Sequence, residues 1–376
     1  MIVNEKTEES IQTLDQLKHY LKLTTMEELR LQKVLKSHPM LVSPHYASLI
    51  NWSDPDDPIR KMAVPSIDEL NSEGFCDTSG EAENTKMPGL QHKYSETALI
   101  LATNVCATYC RHCFRKRLVG LPTHETLKRI EDAAVYIDNH PEINNVLVSG
   151  GDPLTLCNKV LKRLLEVLTR IPTLNFIRIG SRVPVTFPSR LEDRELLNIF
   201  REYSKSYGRL NIVTQFNHSR EICPQSIAAI GNLIDVGVQV SNQTVLLGGI
   251  NDSPEEITRI MNSLTSIGVT PYYVFQCRPV ARVKHHFQIP ICRGLRIVEA
   301  AKANLNGFGK RFKYIMSHKT GKIEILGIMD DEIYFKYHEA KNPSDLGKMF
   351  KLHVNEKAGW LDDFNDYAQS AIQDNC

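Results

Sequence analysis

Three closely spaced cysteines offer the clearest chemistry in this sequence: Cys106, Cys110 and Cys113, in a C-x3-C-x2-C pattern. Three thiols within eight residues can converge on one side of a tight loop and bind a metal centre. Zinc sites and ordinary iron–sulfur clusters take four protein ligands, whereas the next cysteines, Cys76 and Cys157, are distant in the chain. A cubane iron–sulfur cluster held by only three thiolates would leave one iron open to a small molecule.

Two simpler interpretations stay open at this point. His112 could complete a zinc knuckle with the three thiols, or the cysteines could cluster by chance in a reduced protein. If the chain is a zinc-dependent binding module of this kind, the protein should contain zinc and no iron after anaerobic purification.

The elements that would position these residues alternate along the chain. Apolar, strand-like runs fall near 97–103, 145–149, 175–179, 210–214, 239–246 and 271–276, and amphipathic helix-length segments near 124–139, 156–171, 190–206, 224–236, 253–266 and 291–304. Six βα units with short connections predict a parallel sheet that curls into an open or closed barrel. Active sites in such folds lie at the carboxyl ends of the strands.

The unusual groups of the sequence all fall at that predicted rim. They follow the six strands in turn: Cys106, Gly150-Gly151-Asp152-Pro153, Gly180-Ser181-Arg182, Asn217-His218, Gly248-Gly249 and Cys277-Arg278. Glycines let a backbone approach a ligand closely, and a guanidinium forks onto a carboxylate. This common location predicts a single active site.

The rest of the chain flanks the barrel. Residues 1–92 predict a helical N-terminal extension, with helical periodicity over 9–38 and a loose, polar loop over 71–92. Residues 93–310 form the predicted barrel, and 311–376 a small C-terminal α+β appendage. The fold class is therefore α/β, a partial (β/α)6 barrel with two additions.

Composition is that of an ordinary globular protein. A net charge of +1, with 42% hydrophobic and 24% charged residues, gives no electrostatic reason to expect a nucleic-acid or membrane partner. No apolar run approaches the roughly 20 residues of a membrane span, and the N-terminus MIVNEKTEES does not resemble a secretory signal. Nine cysteines then indicate a reducing compartment, and we expect the cytoplasm.

The cysteine spacing resembles that of radical S-adenosylmethionine (SAM) enzymes. The longer string Cys-x-x-Tyr-Cys-Arg-His-Cys-x-Arg-x-Arg, beginning at Cys106, is similar to the lysine 2,3-aminomutase family in particular. The similarity continues through segments spread over about residues 40 to 280: 43–50, 54–61, 88–94, 148–154, 178–184, 216–218 and 242–247. The chain is identified as a divergent member of that family.

The resemblance implies a set of cofactor contacts. In radical SAM enzymes a [4Fe–4S] cluster on three cysteines binds SAM through its open iron. Carried over by position, the glycine–glycine–acid segment holds the methionyl amine, and one arginine meets the carboxylate of SAM. The residues so implied are Cys106, Cys110 and Cys113 for the cluster, Gly150, Gly151, Asp152 and Arg182 for the methionyl group, and His218 and Gln243 for the nucleoside.

The resemblance also implies an amino-acid substrate held on pyridoxal phosphate (PLP). In the family, a deoxyadenosyl radical takes hydrogen from the β-carbon, and the amino group then moves from carbon two to carbon three. By position, Arg115 pairs with the substrate α-carboxylate, and Lys322 occupies the place of the PLP lysine. An electron donor such as flavodoxin or ferredoxin is expected, and a homo-oligomer, since family members associate.

Three departures from the family pattern bear on substrate and cofactor. Most of the glycines that precede the PLP lysine are missing before Lys322, which could instead be a hairpin lysine. Thr97 stands where the family offers an arginine to the PLP phosphate. Loss of this contact should weaken binding of the cofactor unless Lys93 compensates. In the family, two aspartates bind the ε-ammonium group of lysine. Arg278 replaces the first of them, and a residue at or near Ser317 replaces the second.

A cation at position 278 should repel a lysine side chain. The sequence therefore predicts a radical SAM isomerase, a 2,3-aminomutase that acts on an amino acid other than lysine, and a carboxylate-bearing side chain fits Arg278 better. The alternative within this class is a PLP-independent radical SAM epimerase, dehydrogenase or peptide-modifying enzyme.

Overall fold

A single mixed sheet organises the molecule. The computed structural model describes residues 9–207 and 210–364, and in this part of the chain the sheet has twelve strands that lie side by side in chain order. They are β1 Thr85–Met87, β2 Leu90–Tyr94, β3 Thr97–Thr103, β4 Asn145–Gly150, β5 Phe176–Gly180, β6 Leu210–Thr214, β7 Gln239–Leu246, β8 Thr270–Gln276, β9 Lys313–His318, β10 Gly321–Met329, β11 Glu332–Ala340 and β12 Met349–His353.

Helices precede the sheet and connect its central strands. In the same described ranges they are α1 Leu14–Leu17, α2 Thr25–Ser37, α3 Pro44–Ser48, α4 Pro58–Ala63, α5 Glu81–Asn84, α6 Ile130–Asp138, α7 Asn158–Leu168, α8 Val183–Thr186, α9 Arg194–Tyr207, α10 Pro224–Asp235, α11 Pro254–Ser266, α12 Lys284–Phe287 and α13 Ile291–Ala303. None of these helices is long and apolar enough to cross a bilayer.

The centre of the sheet is parallel, and the predicted α/β partial barrel is confirmed. Strands β3 to β9 pair in parallel, whereas β1–β3 and β9–β12 pair antiparallel. Strands β3 to β8 are the six predicted strands, and α6, α7, α9, α10, α11 and α13 are the six predicted helices.

Helix α11 illustrates why these segments form amphipathic helices. The Ser253 side chain accepts a hydrogen bond from the backbone N–H of Glu256 and so caps the first turn. Spacings of three and four residues then put Ile257, Ile260 and Leu264 on one buried face. Burial of such a side chain contributes about 1.5–3 kcal/mol, so the connecting helices are held mainly by packing on the sheet.

A seventh parallel strand, β9, is not among the six predicted strands; it lies in residues 311–376, the predicted C-terminal α+β appendage. From Tyr314 to His318 every residue of β9 is buried, so the strand lacks the alternating polarity that marks a half-exposed strand. Strand β9 extends the parallel sheet and leads directly into β10, which carries Lys322.

The predicted polar loop over 71–92 is also wrong in part, because this stretch contains α5, β1 and most of β2. The strand β1 is short and largely exposed, so its composition does not differ from that of a loop. Strand β2 straddles the predicted boundary at 92/93 and pairs with β3. In the C-terminal segment, β10 to β12 form an antiparallel meander, and the predicted mixed structure beyond residue 364 lies outside the described residues.

Replacement of Gly89 by alanine should destabilise the fold. Gly89 lies in the β1–β2 turn with φ +82°, and an added Cβ would lie 2.1 Å from the backbone nitrogen of Leu127. Backbone strain and overpacking together should cost about 2 kcal/mol or more. We expect a lower thermal midpoint for Gly89→Ala, measured by circular dichroism. Gly307→Ala is the matched control, because its Cβ would meet nothing within 4 Å; equal midpoints for the two variants would contradict the prediction.

Candidate active site

A cavity of about 330 Å³ extends from the carboxyl ends of the parallel strands into the interior of the barrel. Its lining brings together nearly all of the predicted site residues. Those it includes are Cys106, Cys110, Cys113, Arg115, Gly150, Gly151, Asp152, Arg182, Gln243, Arg278 and Lys322. His218 is not part of this lining as far as the described residues show.

The three cysteines of the loop after β3 are free thiols facing the cavity. Burial, together with the nearby Asp152 carboxylate, raises the pKa of Cys106 well above its usual value, and burial also raises that of Cys113, to about 11. Deprotonation of these thiols therefore needs a compensating cation. A metal centre bound at the loop would supply that positive charge.

The spacing of the thiols argues against a single zinc ion. Two ligands of one tetrahedral zinc lie about 3.8 Å apart, given Zn–S bonds of about 2.3 Å. Among the described residues, the three cysteines do not form a group whose ligand atoms all lie within 4.8 Å of one another. His112 does not offer its Nε2 to such a site, because this nitrogen faces the side-chain amides of Gln215 and Asn217, each at 3.1 Å. The donor set fits a cluster, in which each thiolate binds a different iron.

The Gly150-Gly151 segment holds the cysteine loop by close backbone contact. The N–H of Gly151 donates to the carbonyl of Thr103 at 2.6 Å, and the next N–H donates to the carbonyl of Val105 at 2.7 Å. A Cβ on Gly151 would lie 2.4 Å from the oxygen of Val105. These glycines are therefore required by the loop itself, whether or not they also approach a ligand.

The Asp152 carboxylate is committed to the protein. Its Oδ1 accepts hydrogen bonds from the N–H of Leu154 and the hydroxyl of Ser181, and its Oδ2 accepts from the N–H groups of Arg182 and Val183. Burial raises the pKa of Asp152, although these donors oppose the shift. Asp152 thus fixes the strand-end turns of β4 and β5 relative to each other.

Arg182 lies beside the cluster loop. Its Nη1 is 2.6 Å from the sulfur of Cys110, its Nη2 donates to Glu221 at 2.6 Å, and its Nε donates to the carbonyl of Gln215. The hydroxyl of Tyr46 also donates to Glu221, at 2.5 Å. The second N–H of Nη2 lies 3.4 Å from the Tyr46 oxygen. Among the described residues this leaves one of the five guanidinium N–H groups, on Nη1, without an acceptor, so Arg182 retains a donor for a carboxylate at this end of the cavity.

A buried ionic cluster ties the cysteine loop to the N-terminal extension. Arg111 donates to Glu69 through Nε and Nη2, at 2.8 and 2.6 Å, and the ammonium group of Lys116 lies 2.7 Å from the same carboxylate. Burial alone would raise the pKa of Glu69, but the two cations lower it to about 2. The backbone N–H of Arg111 also donates to the carbonyl of Met62.

The two predicted nucleoside contacts have different locations. Gln243, on β7, lines the cavity. The Nδ1 of His218 accepts from the N–H of Arg220 at 3.1 Å, and its Nε2 is 3.5 Å from Glu256. The role of His218 stays a prediction, although its ring serves as the cap of a short turn.

Lys322 and Lys93 lie at the inner end of the cavity. The ammonium group of Lys322 pairs with Glu339 at 2.8 Å and lies 5.3 and 5.5 Å from the ring centres of Tyr94 and Tyr273. Lys93 donates to the carbonyl of His318 at 2.6 Å. Burial, with the cations Arg278 and Lys322 nearby, lowers the pKa of Lys93 to about 7.

Arg115 and Arg278 form a cationic wall around the aromatic ring of Phe114. Their guanidinium carbons lie 4.7 and 4.3 Å from the ring centre. Arg115 is paired with Glu81 at 2.8 Å, whereas Arg278 is held by the hydroxyls of Ser79 and Ser317. Burial lowers the pKa of Arg278 to about 10, so it remains a cation at neutral pH.

Several buried polar atoms in the lining have no hydrogen-bond partner among the described residues. They are Nε2 of Gln91, Nδ1 of His112, Nε of Arg178 and Oγ1 of Thr214. Buried polar groups are normally paired, so such atoms indicate a polar ligand or water. Six basic side chains but only two carboxylates line the cavity, namely Lys93, Arg115, Arg178, Arg182, Arg278 and Lys322 against Glu81 and Asp152. The charge of the lining therefore suits anionic groups such as a carboxylate or a phosphate.

Sequence reasoning missed the acids that hold these cations. Glu81, Glu221 and Glu339 pair with Arg115, Arg182 and Lys322. Glu221 could have been suspected, since it lies three residues after His218 at a strand exit. The other two lie in segments without a motif, so only the structure reveals their pairing.

Comparison with known proteins gives consistent matches. The family model of the Radical SAM superfamily matches residues 100–261. The chain is 42% identical over 93% of its length to an Aquifex aeolicus (strain VF5) protein provisionally named an L-lysine 2,3-aminomutase, of which it covers 96%. It is 38% identical to the L-lysine 2,3-aminomutase of Clostridium subterminale, over 79% of this chain and 71% of that one. It is 36% identical to the glutamate 2,3-aminomutase of Clostridioides difficile (strain 630), over 79% and 69%.

Gly151→Ala should impair cluster assembly, because the added Cβ displaces the backbone of the cysteine loop. We expect iron and sulfide per chain to fall at least several-fold after anaerobic reconstitution. Gly180→Ala is the matched control at the next strand end, where a Cβ would lie 3.6 Å from its nearest neighbour. Full iron incorporation by Gly151→Ala would show that the close contact is dispensable.

Proposed function

Because this chain belongs to the lysine 2,3-aminomutase family of radical SAM enzymes, we propose that it is a PLP-dependent 2,3-aminomutase for an amino acid other than lysine. Membership confirms the resemblance found in the sequence and implies a [4Fe–4S] cluster and SAM. The substrate and the use of PLP are the proposed part. We infer further that the substrate side chain is anionic.

The charge of the cavity carries the substrate proposal. A lysine side chain would bring an ammonium group to a wall that already contains Arg278, and an unpaired cation there is unfavourable. Glu81 is occupied by Arg115 and by Arg117, at 2.8 and 2.7 Å, so it is not free to neutralise a further cation. A carboxylate at the end of the substrate side chain would instead pair with Arg278.

The location of Lys322 supports the PLP proposal. It lines the same cavity as the cysteines, and the carboxylate of Glu339, 2.8 Å away, holds its ammonium group in place. The rings of Tyr94 and Tyr273 restrict its position. A surface hairpin lysine would have neither feature.

The phosphate of PLP would need a cation in place of the family arginine. Thr97 faces the cavity but is neutral, and its hydroxyl donates to the side chain of Asn145 at 3.3 Å. Lys93 lies in the same cavity and becomes fully charged when an anion binds beside it. Lys93 is therefore the proposed phosphate contact.

The chain's own residues then have distinct tasks. When bound, SAM and the cluster would supply radical chemistry and PLP would supply delocalisation for the migrating amine. Arg115 and Arg278 bind the two carboxylates of the substrate and orient its β-carbon. Arg182 would hold the carboxylate of SAM, and the position of the site inside the barrel would limit the access of water.

Compartment and partners follow from the same chemistry. Every cysteine in the described part of the chain is a free thiol, and a cluster with an open iron requires reducing conditions. We therefore propose a cytoplasmic enzyme that receives electrons from a donor such as flavodoxin or ferredoxin. Homo-oligomerisation stays a prediction.

Lys322→Ala should abolish covalent capture of PLP. The protein is incubated with PLP and reduced with borohydride, which fixes the cofactor to its lysine, and peptides are analysed by mass spectrometry. We expect one modified site, Lys322, and its loss in the variant. Lys319→Ala is the control, since Lys319 lies in the same hairpin region but is exposed. No capture by the parent protein would favour the PLP-independent alternative.

Arg278→Gln should weaken binding of an acidic amino acid. A charge-assisted hydrogen bond contributes about 1.5–3 kcal/mol, so we expect KM for glutamate to rise about 10- to 100-fold. The assay is anaerobic incubation with SAM, a low-potential reductant and deuterated glutamate, arginine or lysine, with mass spectrometry of the β-amino product and of label in deoxyadenosine.

Arg163→Gln is the control for this experiment, because Arg163 lies on the outer surface of α7 and pairs with Glu131. Its KM should match that of the parent protein. Rearrangement of lysine in preference to glutamate would refute the substrate proposal while leaving family membership intact.

A further inference from the structure

A second group of potential metal ligands lies outside the cavity. His92 on β2 and His140 and Glu142, in the connection from α6 to β4, each offer one ligand atom, and the three atoms lie within 4.8 Å of one another. Gln91 and Lys93, the neighbours of His92, line the cavity. His92 therefore points to the opposite face of the sheet, where it contacts Tyr136 of α6.

Hydrogen bonds fix the tautomer of both histidines. The Nε2 of His92 lies 3.0 Å from the carbonyl of Ser95, and the Nδ1 of His140 lies 2.7 Å from the carbonyl of Tyr136. A carbonyl only accepts, so each of these ring nitrogens carries a proton. The Nδ1 of His92 and the Nε2 of His140 then carry the lone pairs.

This is the arrangement found around metal-binding histidines, which usually donate their second N–H to a carbonyl or carboxylate. The hydroxyl of Tyr136 donates to the Nδ1 of His92 at 3.1 Å, and its ring stacks on that of His140 at 3.9 Å. Tyr136 thus keeps the two imidazoles close together, 5.7 Å between ring centres. A metal ion would replace the tyrosine hydroxyl at His92.

The geometry points to a binding site for a divalent transition-metal ion, with zinc as the expected occupant, formed by His92, His140 and Glu142. Two nitrogens and one carboxylate are a ligand set that zinc accepts, with a water as fourth ligand. Ligand atoms on one zinc lie roughly 3.3 Å apart, so modest side-chain rotations close the site. Glu142 is exposed and free to swing inward.

Such an ion would join β2 to the α6–β4 connection. It would fix the strand whose other face presents Gln91 and Lys93 to the cavity. The site shares no ligand with the cysteine loop, so it is separate from the iron–sulfur chemistry and does not depend on the proposed substrate or on PLP.

The test uses the full chain with its cluster reconstituted, so that the three cysteines are occupied. Excess metal is removed with a chelator, and the protein is titrated anaerobically with zinc chloride, with metal content measured by plasma mass spectrometry. We expect one zinc per chain and a rise in thermal midpoint with zinc concentration. Glu142→Gln and His140→Gln should weaken zinc binding at least 10-fold without loss of iron.

His353→Gln is the control, because His353 is an exposed histidine at the end of β12; it should bind zinc as the parent protein does. Cobalt substitution gives a second readout, since nitrogen and oxygen ligands produce weak visible bands without thiolate charge transfer. The proposal is overturned if the parent protein retains no stoichiometric zinc, if Glu142→Gln and His140→Gln bind it equally well, or if the cobalt spectrum shows thiolate ligation.

Discussion

The structure depends on the close backbone contact between the exits of β3 and β4. Two short hydrogen bonds, from the N–H groups of Gly151 and Asp152, fix the loop that carries Cys106. The side chain of Asp152 then fixes the exit of β5, which carries Arg182. One continuous set of polar contacts thus links three strand ends and gives the thiols and the arginine defined positions, as pre-organised binding requires.

The N-terminal extension completes this support from the other side. Glu69 pairs with two cations of the cysteine loop, Arg111 and Lys116, in a buried position, where a charge without a partner would cost several kcal/mol. Tyr46 reaches Glu221, the acid that holds Arg182. The extension is therefore part of the active site's framework.

Much of the fold could be predicted from the sequence, and less of the site. Three strands, β3, β6 and β7, coincide with the predicted apolar runs 97–103, 210–214 and 239–246, because turn residues mark the ends of each run. Strand β9 escaped detection because burial on both faces removes the alternating pattern. Motifs located the cysteines and Gly151, but the pairing of Arg182 with Glu221 depends on tertiary packing, which no local pattern encodes.

The lowered pKa of Lys93 has a consequence for ligand binding. With a pKa of about 7 it is partly deprotonated at neutral pH in the ligand-free protein. An anion that binds beside it favours the charged form, so binding draws a proton from solvent. Affinity for that anion must then decline as pH rises above 7, since the cost of protonating the amine grows. Binding of an anion beside Lys93 therefore depends on the pH of the solution.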